Sequence, residues 1–324
     1  MERTGRLSPQ QPIICVVGPT AVGKTALAIS LAHRFGGEVI NADSRQIYRG
    51  MTIGTAKPSI EELAAVPHHL VDILDPSENF GLSLFLQHAA KALQGIRTRG
   101  RLPIVCGGTG QYVWGLLEGR LPPEAPPDPM FRAALEAEAE RVGVIGLHRQ
   151  LAAIDQARAA ALDPRNVRRV IRALEIHRAT GKLPSLAQPG GSPSLADAMI
   201  LGLTMPRETL YRRIDDRVDR MMRDGFLAEV EELLKAGFST RTGPMASPGY
   251  RELGLYLEGE LSLEEAVARA KTQTHRLARR QYTWFKPSDD RIQWLDATEA
   301  GLHDTAARMT TAFLETKSWK IDPL

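Results

Sequence analysis

Cysteine is nearly absent: the 324-residue chain has two, Cys15 and Cys106, each inside an apolar run. Two thiols so placed read as buried and reduced, and they exclude a disulfide framework or a cysteine-built metal site. Long apolar stretches are missing too, and none reaches the roughly 20 residues needed to span a bilayer, which excludes a membrane-spanning helix. The opening "MERTGRLSPQQP" lacks the apolar segment of a secretion signal. Residues 1–11 are therefore expected to be a disordered tail, and the protein to be cytoplasmic. A strong excess of one charge is also lacking. The net charge is +3, so the field of the whole molecule does not by itself imply a nucleic acid. Locally the balance differs. Lys271 to Lys286 carries five basic residues and no acidic one, and Arg165 to Lys182 carries six Lys or Arg against Glu175 alone. Such runs are either solvated helix faces or the footprint of a polyanion.

What remains is 43% hydrophobic and 24% charged, enough for a sizeable core in one large domain or two of ordinary size. Along the chain, "PIICVV", "EVINAD", "HHLVDI" and "RLPIVCGGTG" read as strands, and "KTALAISLAHRF", "LSLFLQHAAKALQGIRTRG" and "QYVWGLLEG" as helices between and after them. Alternation of this kind predicts an α/β fold with a parallel sheet covered by helices on both faces. Then "LPPEAPPDP" places five prolines in nine residues, which no helix or central strand tolerates. Three helical patterns follow, "MFRAALEAEAERVG", "LHRQLAAIDQARAAAL" and "NVRRVIRALEIHRATGK", before a second breaker, "LPSLAQPGGSPS". The strand-like "AMILGLTM" then resumes the sheet. The expected organisation is a catalytic core over 12–121 and 198–324, interrupted by an all-helical subdomain over 122–197.

The most specific local signal is "GPTAVGKT", Gly18, Pro19, Thr20, Ala21, Val22, Gly23, Lys24 and Thr25, set between a strand and a helix. It has the spacing of a phosphate-binding loop. Gly18 and Gly23 let successive N–H groups turn toward an anion, Lys24 supplies charge to the outer phosphates, and the Thr25 hydroxyl is placed to ligate Mg²⁺. Taken alone, the loop points to a nucleoside triphosphate such as ATP. Many proteins with this loop also place an acidic residue after a later strand to hold the metal. Here "PIVCGGTGQY" ends instead in Gly107, Gly108, Thr109 and Gly110, which counts against an ATPase; Asp72 and Asp75 are imperfect substitutes. Asp43 closes the second strand and reads either as a turn residue or as a general base beside the loop. Ligands of parallel sheets lie beyond the strands' carboxyl ends, so the loop, Asp43 and Thr109 are expected at one rim. His68 and His69, adjacent on an extended segment, point to opposite faces and read as structural rather than as a metal pair. Tyr282, Trp284 and Phe285 read as core contacts.

The ordered set "GPTAVGKT", "NADSRQIYRGMTIGTAKP", "PHHLVDILDP", "GGTGQY", "RRVIRALEI", "RDGFLAEVEELL" and "GYRELGLYLEGELSLEEA", ending in "RLARRQYTWFK", resembles the tRNA dimethylallyltransferases over about residues 11 to 296. The resemblance implies transfer of a dimethylallyl group from dimethylallyl diphosphate to N6 of an adenosine at position 37, in the anticodon stem-loop of tRNA. On that footing the loop holds a diphosphate with Mg²⁺ and hydrolyses no phosphoanhydride. Asp43 would act as base and Thr109 would orient the amine or a diphosphate oxygen, with Arg207 and Arg213 as helpers on the diphosphate. Asp43, Ser44, Arg45, Gln46 and Thr109 would line the base site. Arg132, Arg168, Arg169, Arg172, Tyr250 and Arg251 match positions that contact tRNA in the family. The sequence departs from the family pattern at Ser247 and Pro248, before the glycine of "PGYRE", and at Gln111, where leucine is usual. Two other readings use the same loop: an enzyme acting on free adenine nucleotides, as isopentenyltransferase or kinase, and a nucleotide-regulated RNA-binding protein without catalysis. A free nucleotide needs no wide basic surface, and the arginine-rich insert argues against the first of these. A monomer is the default expectation.

Overall fold

The computed structural model describes residues 12–121, 125, 128–186, 190–191 and 197–319. The expected disordered tail at 1–11 and part of the second breaker stretch lie outside them. Contacts divide the chain into two compact units, one formed by Met1–Gly119 with Pro193–Leu324 and the other by Arg120–Ser192.

The first unit opens with β1 (Ile13–Val17), α1 (Lys24–Phe35), β2 (Gly37–Asn41), α2 (Ile60–Ala65), β3 (His68–His69), α3 (Leu82–Thr98), β4 (Leu102–Gly107) and α4 (Gly110–Leu117). The second unit contains β5 (Arg120–Leu121), α5 (Pro129–Ile154), α6 (Gln156–Ala160), α7 (Val167–Thr180) and β6 (Gly190–Gly191), with β5 and β6 paired antiparallel. The chain then completes the first unit with β7 (Ala198–Thr204), α8 (Arg207–Arg223), α9 (Phe226–Lys235), α10 (Tyr250–Leu257), α11 (Leu263–Trp284), β8 (Ile292–Asp296) and α12 (Leu302–Thr316).

Six strands form a parallel sheet in the order β3-β2-β4-β1-β7-β8. Successive strand residues face opposite sides. Ile13, Cys15 and Val17 accordingly enter one apolar cluster and Ile14 and Val16 the other, which is why all five positions of β1 are buried. On α1, Leu27, Ala28, Leu31, Ala32 and Phe35 are the buried residues. Each large apolar side chain so placed contributes about 1.5–3 kcal/mol through burial. A Ser262–Glu265 capping box starts α11, with each side chain accepting the other's backbone N–H. Because the strands are parallel, the segments after β1, β2 and β4 all emerge at one edge, where Val17 pairs with Gly107 and Asn41 with Cys106.

Three expected elements change. The strand read over "HHLVDI" is confined to His68–His69, because Leu70 (φ 64°) and Asp72 (φ 54°) adopt left-handed conformations that end the ladder. The helix expected to end at Gly143 continues past it after a kink at φ 77°. The pattern "LHRQLAAIDQARAAAL" instead breaks at Asp155. This buried carboxylate caps α6 through Arg158 N–H (2.9 Å) and accepts Ser185 N–H (2.6 Å). The second unit has a core of its own, with Leu135, Leu147, Leu151, Val170, Ile171 and Leu174 at its centre.

Candidate active site

Gly18 to Thr25 wrap from the end of β1 into the first turn of α1. Gly23 has φ 107° and Ala21 φ 64°, backbone states that direct N–H groups inward. The Lys24 ammonium donates to the Pro19 carbonyl at 2.7 Å. Burial lowers its pKa from 10.5 to about 8, against the opposing pull of Cys106 and Asp43. Both cysteines are buried free thiols, and burial pushes each up to about 12, so they are inert.

Two residues beyond β2, Asp43 turns into the space in front of this loop. Its N–H donates to Asn41 Oδ1 (3.1 Å) and its Oδ1 accepts Arg45 N–H (2.8 Å), the bonds of a turn residue. Thr109, after β4, accepts Ser44 N–H on its Oγ1 at 3.0 Å and donates its own N–H to the Ala42 carbonyl at 3.2 Å. The segments after β2 and β4 are thus tied to each other.

Two cavities meet here. One, ≈ 410 Å³, is lined by Ser44, Arg45, Gly108, Thr109 and Gln111 on one side. Ile214, Val218, Ser247, Pro248, Arg280 and Trp284 stand on the other. The second, ≈ 620 Å³, is lined by Gly23, Lys24, Thr25, Gln46, Lys57, His68, Arg213 and Arg220. Thr20, Asp43, Thr55, Arg217 and Met221 line both. A chamber walled by the phosphate-loop residues and basic side chains and a chamber with mixed polar and apolar walls therefore share Asp43 at their junction.

Two residues of this site, Arg217 and Gln281, were not legible as site residues. Arg217 is half-buried. Burial lowers its guanidinium from the ordinary value, the Asp43 carboxylate opposes this, and Arg220 adds to it. Arg217 and Arg220 follow the expected Arg213 at one helix-face spacing on α8, a signal that could have marked them. Gln281, buried on α11, accepts Thr20 N–H (2.8 Å) on Oε1 and donates from Nε2 to the Gly108 carbonyl (3.1 Å). One amide thereby joins the phosphate loop to the turn carrying Thr109. A Cβ at Gly108 would lie 2.1 Å from Gln281 Nε2, so this approach requires glycine. Nothing local announces Gln281, which is 261 residues from Thr20 in sequence. Gln281→Ala is expected to lower kcat/KM about 10²-fold, the usual consequence of a displaced catalytic segment, with secondary structure intact by circular dichroism.

Other expected residues are placed as follows. Arg207 lies at the start of α8 with its guanidinium 5.1 Å from the Tyr211 ring centroid, and it lines neither cavity. Gln46 lines the loop cavity but spends its amide on the Thr55 and Ala56 carbonyls (3.2 and 2.9 Å). Tyr250 is fully buried and its hydroxyl donates to Glu229 at 2.5 Å, so it is a core residue and not an accessible contact. Arg251 is exposed. Trp284, expected in the core, is 42% exposed and walls the first cavity, whereas Phe285 is fully buried. Asp72 pairs with Lys57, and Asp75 accepts from Ser77; neither carboxylate reaches the loop cavity. His68 Nδ1 bonds the Val66 carbonyl (2.7 Å) while its ring lines the loop cavity, and His69 Nε2 bonds the Glu38 carboxylate (2.7 Å) away from both cavities. In the second unit, Arg132 forms a two-point pair with buried Glu175 (2.8 Å each), and Arg172 also donates to that carboxylate. Burial alone would raise the Glu175 carboxyl; Arg132, the Asp128 N–H and Arg172 bring it down to about 2. Arg168 and Arg169 are exposed, and neither side chain is ion-paired among the described residues.

A parallel sheet, a phosphate-binding loop with a half-buried lysine, and a carboxylate and hydroxyl beside it together define an α/β enzyme that handles a phosphorylated ligand. The family described as IPP transferase matches residues 46–288, and that described as isopentenyl transferase matches residues 11–72. A tRNA dimethylallyltransferase of Thermomicrobium roseum is 50% identical over 92% of this chain and 90% of its own length. One from Roseiflexus sp. (strain RS-1) is 47% identical over 94% and 99%. Among solved structures, the tRNA isopentenylpyrophosphate transferase of Bacillus halodurans aligns with TM-score 0.71 and 40% identity, covering 95% of this chain and 98% of that one. A eukaryotic dimethylallyltransferase acting on tRNA aligns with TM-score 0.80 and 32% identity over 96% and 81%. The chain belongs to the tRNA dimethylallyltransferase family of prenyl-transferring enzymes.

Proposed function

We propose that the protein transfers the dimethylallyl group of dimethylallyl diphosphate to N6 of adenosine 37 in the tRNA anticodon loop, acting in the cytoplasm as a monomer. The observation that carries this reading is the position of Asp43, which lines both the loop cavity and the neighbouring one. A diphosphate held by the loop N–H groups, Lys24, Arg213 and Arg217 presents its allylic carbon toward that junction. An adenine flipped from a single-stranded loop enters by the other cavity. As the N6–C1 bond forms, the C1–O bond breaks, its electron pair leaves on the diphosphate, and the Asp43 carboxylate takes the N6 proton. Thr109, fixed by Ser44, orients the amine. Lys24 and Arg217 neutralise charge growing on the leaving group.

Thr25 is the residue that would hold Mg²⁺. Its hydroxyl has no hydrogen-bond partner among the described residues and lines the loop cavity. Among the described residues no group of three or more His, Cys, Asp or Glu side chains could cage a metal. That donor set fits an ion held by one hydroxyl, phosphate oxygens and water. When bound, the ion supplies further positive charge to the departing diphosphate. No helix among the described residues is long and apolar enough to cross a membrane.

The tRNA would meet the second unit through Arg168 and Arg169, whereas Arg132 and Arg172 are committed to Glu175 and serve that unit's fold. Arg168→Ala with Arg169→Ala is expected to weaken tRNA binding and to lower the slope of log K against log salt by about 1.5, as two phosphate contacts are lost. Unchanged affinity and slope in filter binding would remove these arginines from the docking surface. The reaction itself is tested by incubating the protein with dimethylallyl diphosphate, Mg²⁺ and unmodified tRNA without ATP, then mapping the product by nuclease digestion and mass spectrometry. The expected gain is one dimethylallyl group on adenosine 37. A modification elsewhere, or none, would contradict the reading.

A further inference from the structure

Glu229, on α9, lines neither cavity, yet its carboxylate organises a loop that lines both. Its Oε2 accepts the backbone N–H groups of Thr52 (2.9 Å) and Ile53 (2.7 Å). Its Oε1 accepts that of Gly54 (3.1 Å) and the Tyr250 hydroxyl (2.5 Å). Three successive N–H groups turned toward one anion are the backbone device of phosphate-binding loops, here filled by a side chain of the same protein. Hydrogen bonds to an ionised acceptor are about twice as strong as neutral ones. Glu229 is in no ion pair among the described residues, so its hydrogen bonds all go to this loop and to the tyrosine beside it. The loop is pressed close: a Cβ on Gly54 would lie 2.1 Å from the Phe226 ring. From its other side Gln46 bonds the Thr55 and Ala56 carbonyls. Thr55, held between these two anchors, is one of the residues shared by both cavities.

We propose, taking the transfer reading above as given, that Glu229 is a positioning residue for the reaction. It fixes the 52–57 loop so that Thr55 stands at the junction where the allylic carbon and the amine meet. It touches neither substrate, and it acts through the N–H cradle. Tyr250 supports it as a fourth donor, which gives that tyrosine a role without contact to RNA.

The test is anion rescue. Glu229→Ala is expected to lower kcat about 10²-fold. Sodium formate, whose carboxylate fits the emptied cradle, should recover at least tenfold of that loss in a saturable manner, while sodium chloride at equal ionic strength recovers none. Tyr250→Phe leaves the three N–H bonds in place and should stay within about threefold of wild type. Glu229→Gln keeps the side-chain volume, so it is read in parallel in case the alanine variant does not fold. Its NH₂ group confronts a backbone N–H, and kcat should fall about tenfold. A folded Glu229→Ala enzyme with kcat and both KM values within twofold of wild type, a loss that formate does not reverse, or a fully active Glu229→Gln would each overturn the proposal. A wild-type protein that prenylates no adenosine would instead overturn the transfer reading, so the two failures are distinguishable.

Discussion

Asp43→Asn is expected to lower kcat about 10³-fold while leaving tRNA affinity within twofold. Asparagine has the size of aspartate, and its Oδ1 can still accept the Arg45 N–H that Asp43 accepts at 2.8 Å. The turn after β2 and the Ser44–Thr109 bond that depends on it are therefore retained. What is lost is the ability to take the N6 proton as the C–N bond forms, a contribution of about 10²–10⁴ for a well-placed general base. Single-turnover transfer and filter binding on the same preparation separate the two quantities. If turnover stayed near wild type, the proton would have another acceptor and Asp43 would be only a turn residue.

Lys24→Ala is expected to lower kcat/KM for the diphosphate donor by about 10³-fold, at the upper end of what one preorganised donor is worth because a full charge is lost. Wild-type pH dependence carries the same information. Burial holds the ammonium at about 8 in the free protein, and diphosphate binding favours the charged form. Below pH 8 the charge is already present. Above it, binding must take up a proton, so the donor KM should rise by up to about tenfold per pH unit. In Lys24→Ala this rise should vanish. A wild-type donor KM that is flat between pH 7 and 9.5 would mean that Lys24 does not bind the diphosphate as an ammonium.

The phosphate loop was fully legible because everything it needs lies within eight residues and between two elements with clear periodicity. Asp43 and Thr109 were legible one step further, through the rule that parallel strands deliver their following segments to one edge. Residues that act across the fold were not. Gln281 and Glu229 bond backbone groups of segments far away in sequence, and no local pattern distinguishes either from an ordinary helical polar residue. Arg217 was hidden among the many arginines of α8, where only helical phase separates residues that face the loop from Arg207, which stacks on Tyr211 instead. Motif matching alone also says nothing of what holds Tyr250, Arg132 and Arg172. Chemical type suggested RNA contacts; the structure buries Tyr250 against Glu229 and pairs Arg132 and Arg172 with Glu175. Trp284 erred in the opposite direction, since an aromatic at the end of an amphipathic helix defaults to the core until the wall of a cavity claims it.

The acceptor is the central claim, because the loop and Asp43 would serve a free nucleotide as well as a tRNA base. The direct measurement is a competition: purified protein, Mg²⁺ and isotopically labelled dimethylallyl diphosphate with unmodified tRNA and AMP at equal concentration, products separated and counted. The C5 label is predicted to enter tRNA adenosine with little in the nucleotide pool, and addition of ATP should not change the rate. Label accumulating on AMP while tRNA stays unmodified would contradict the account.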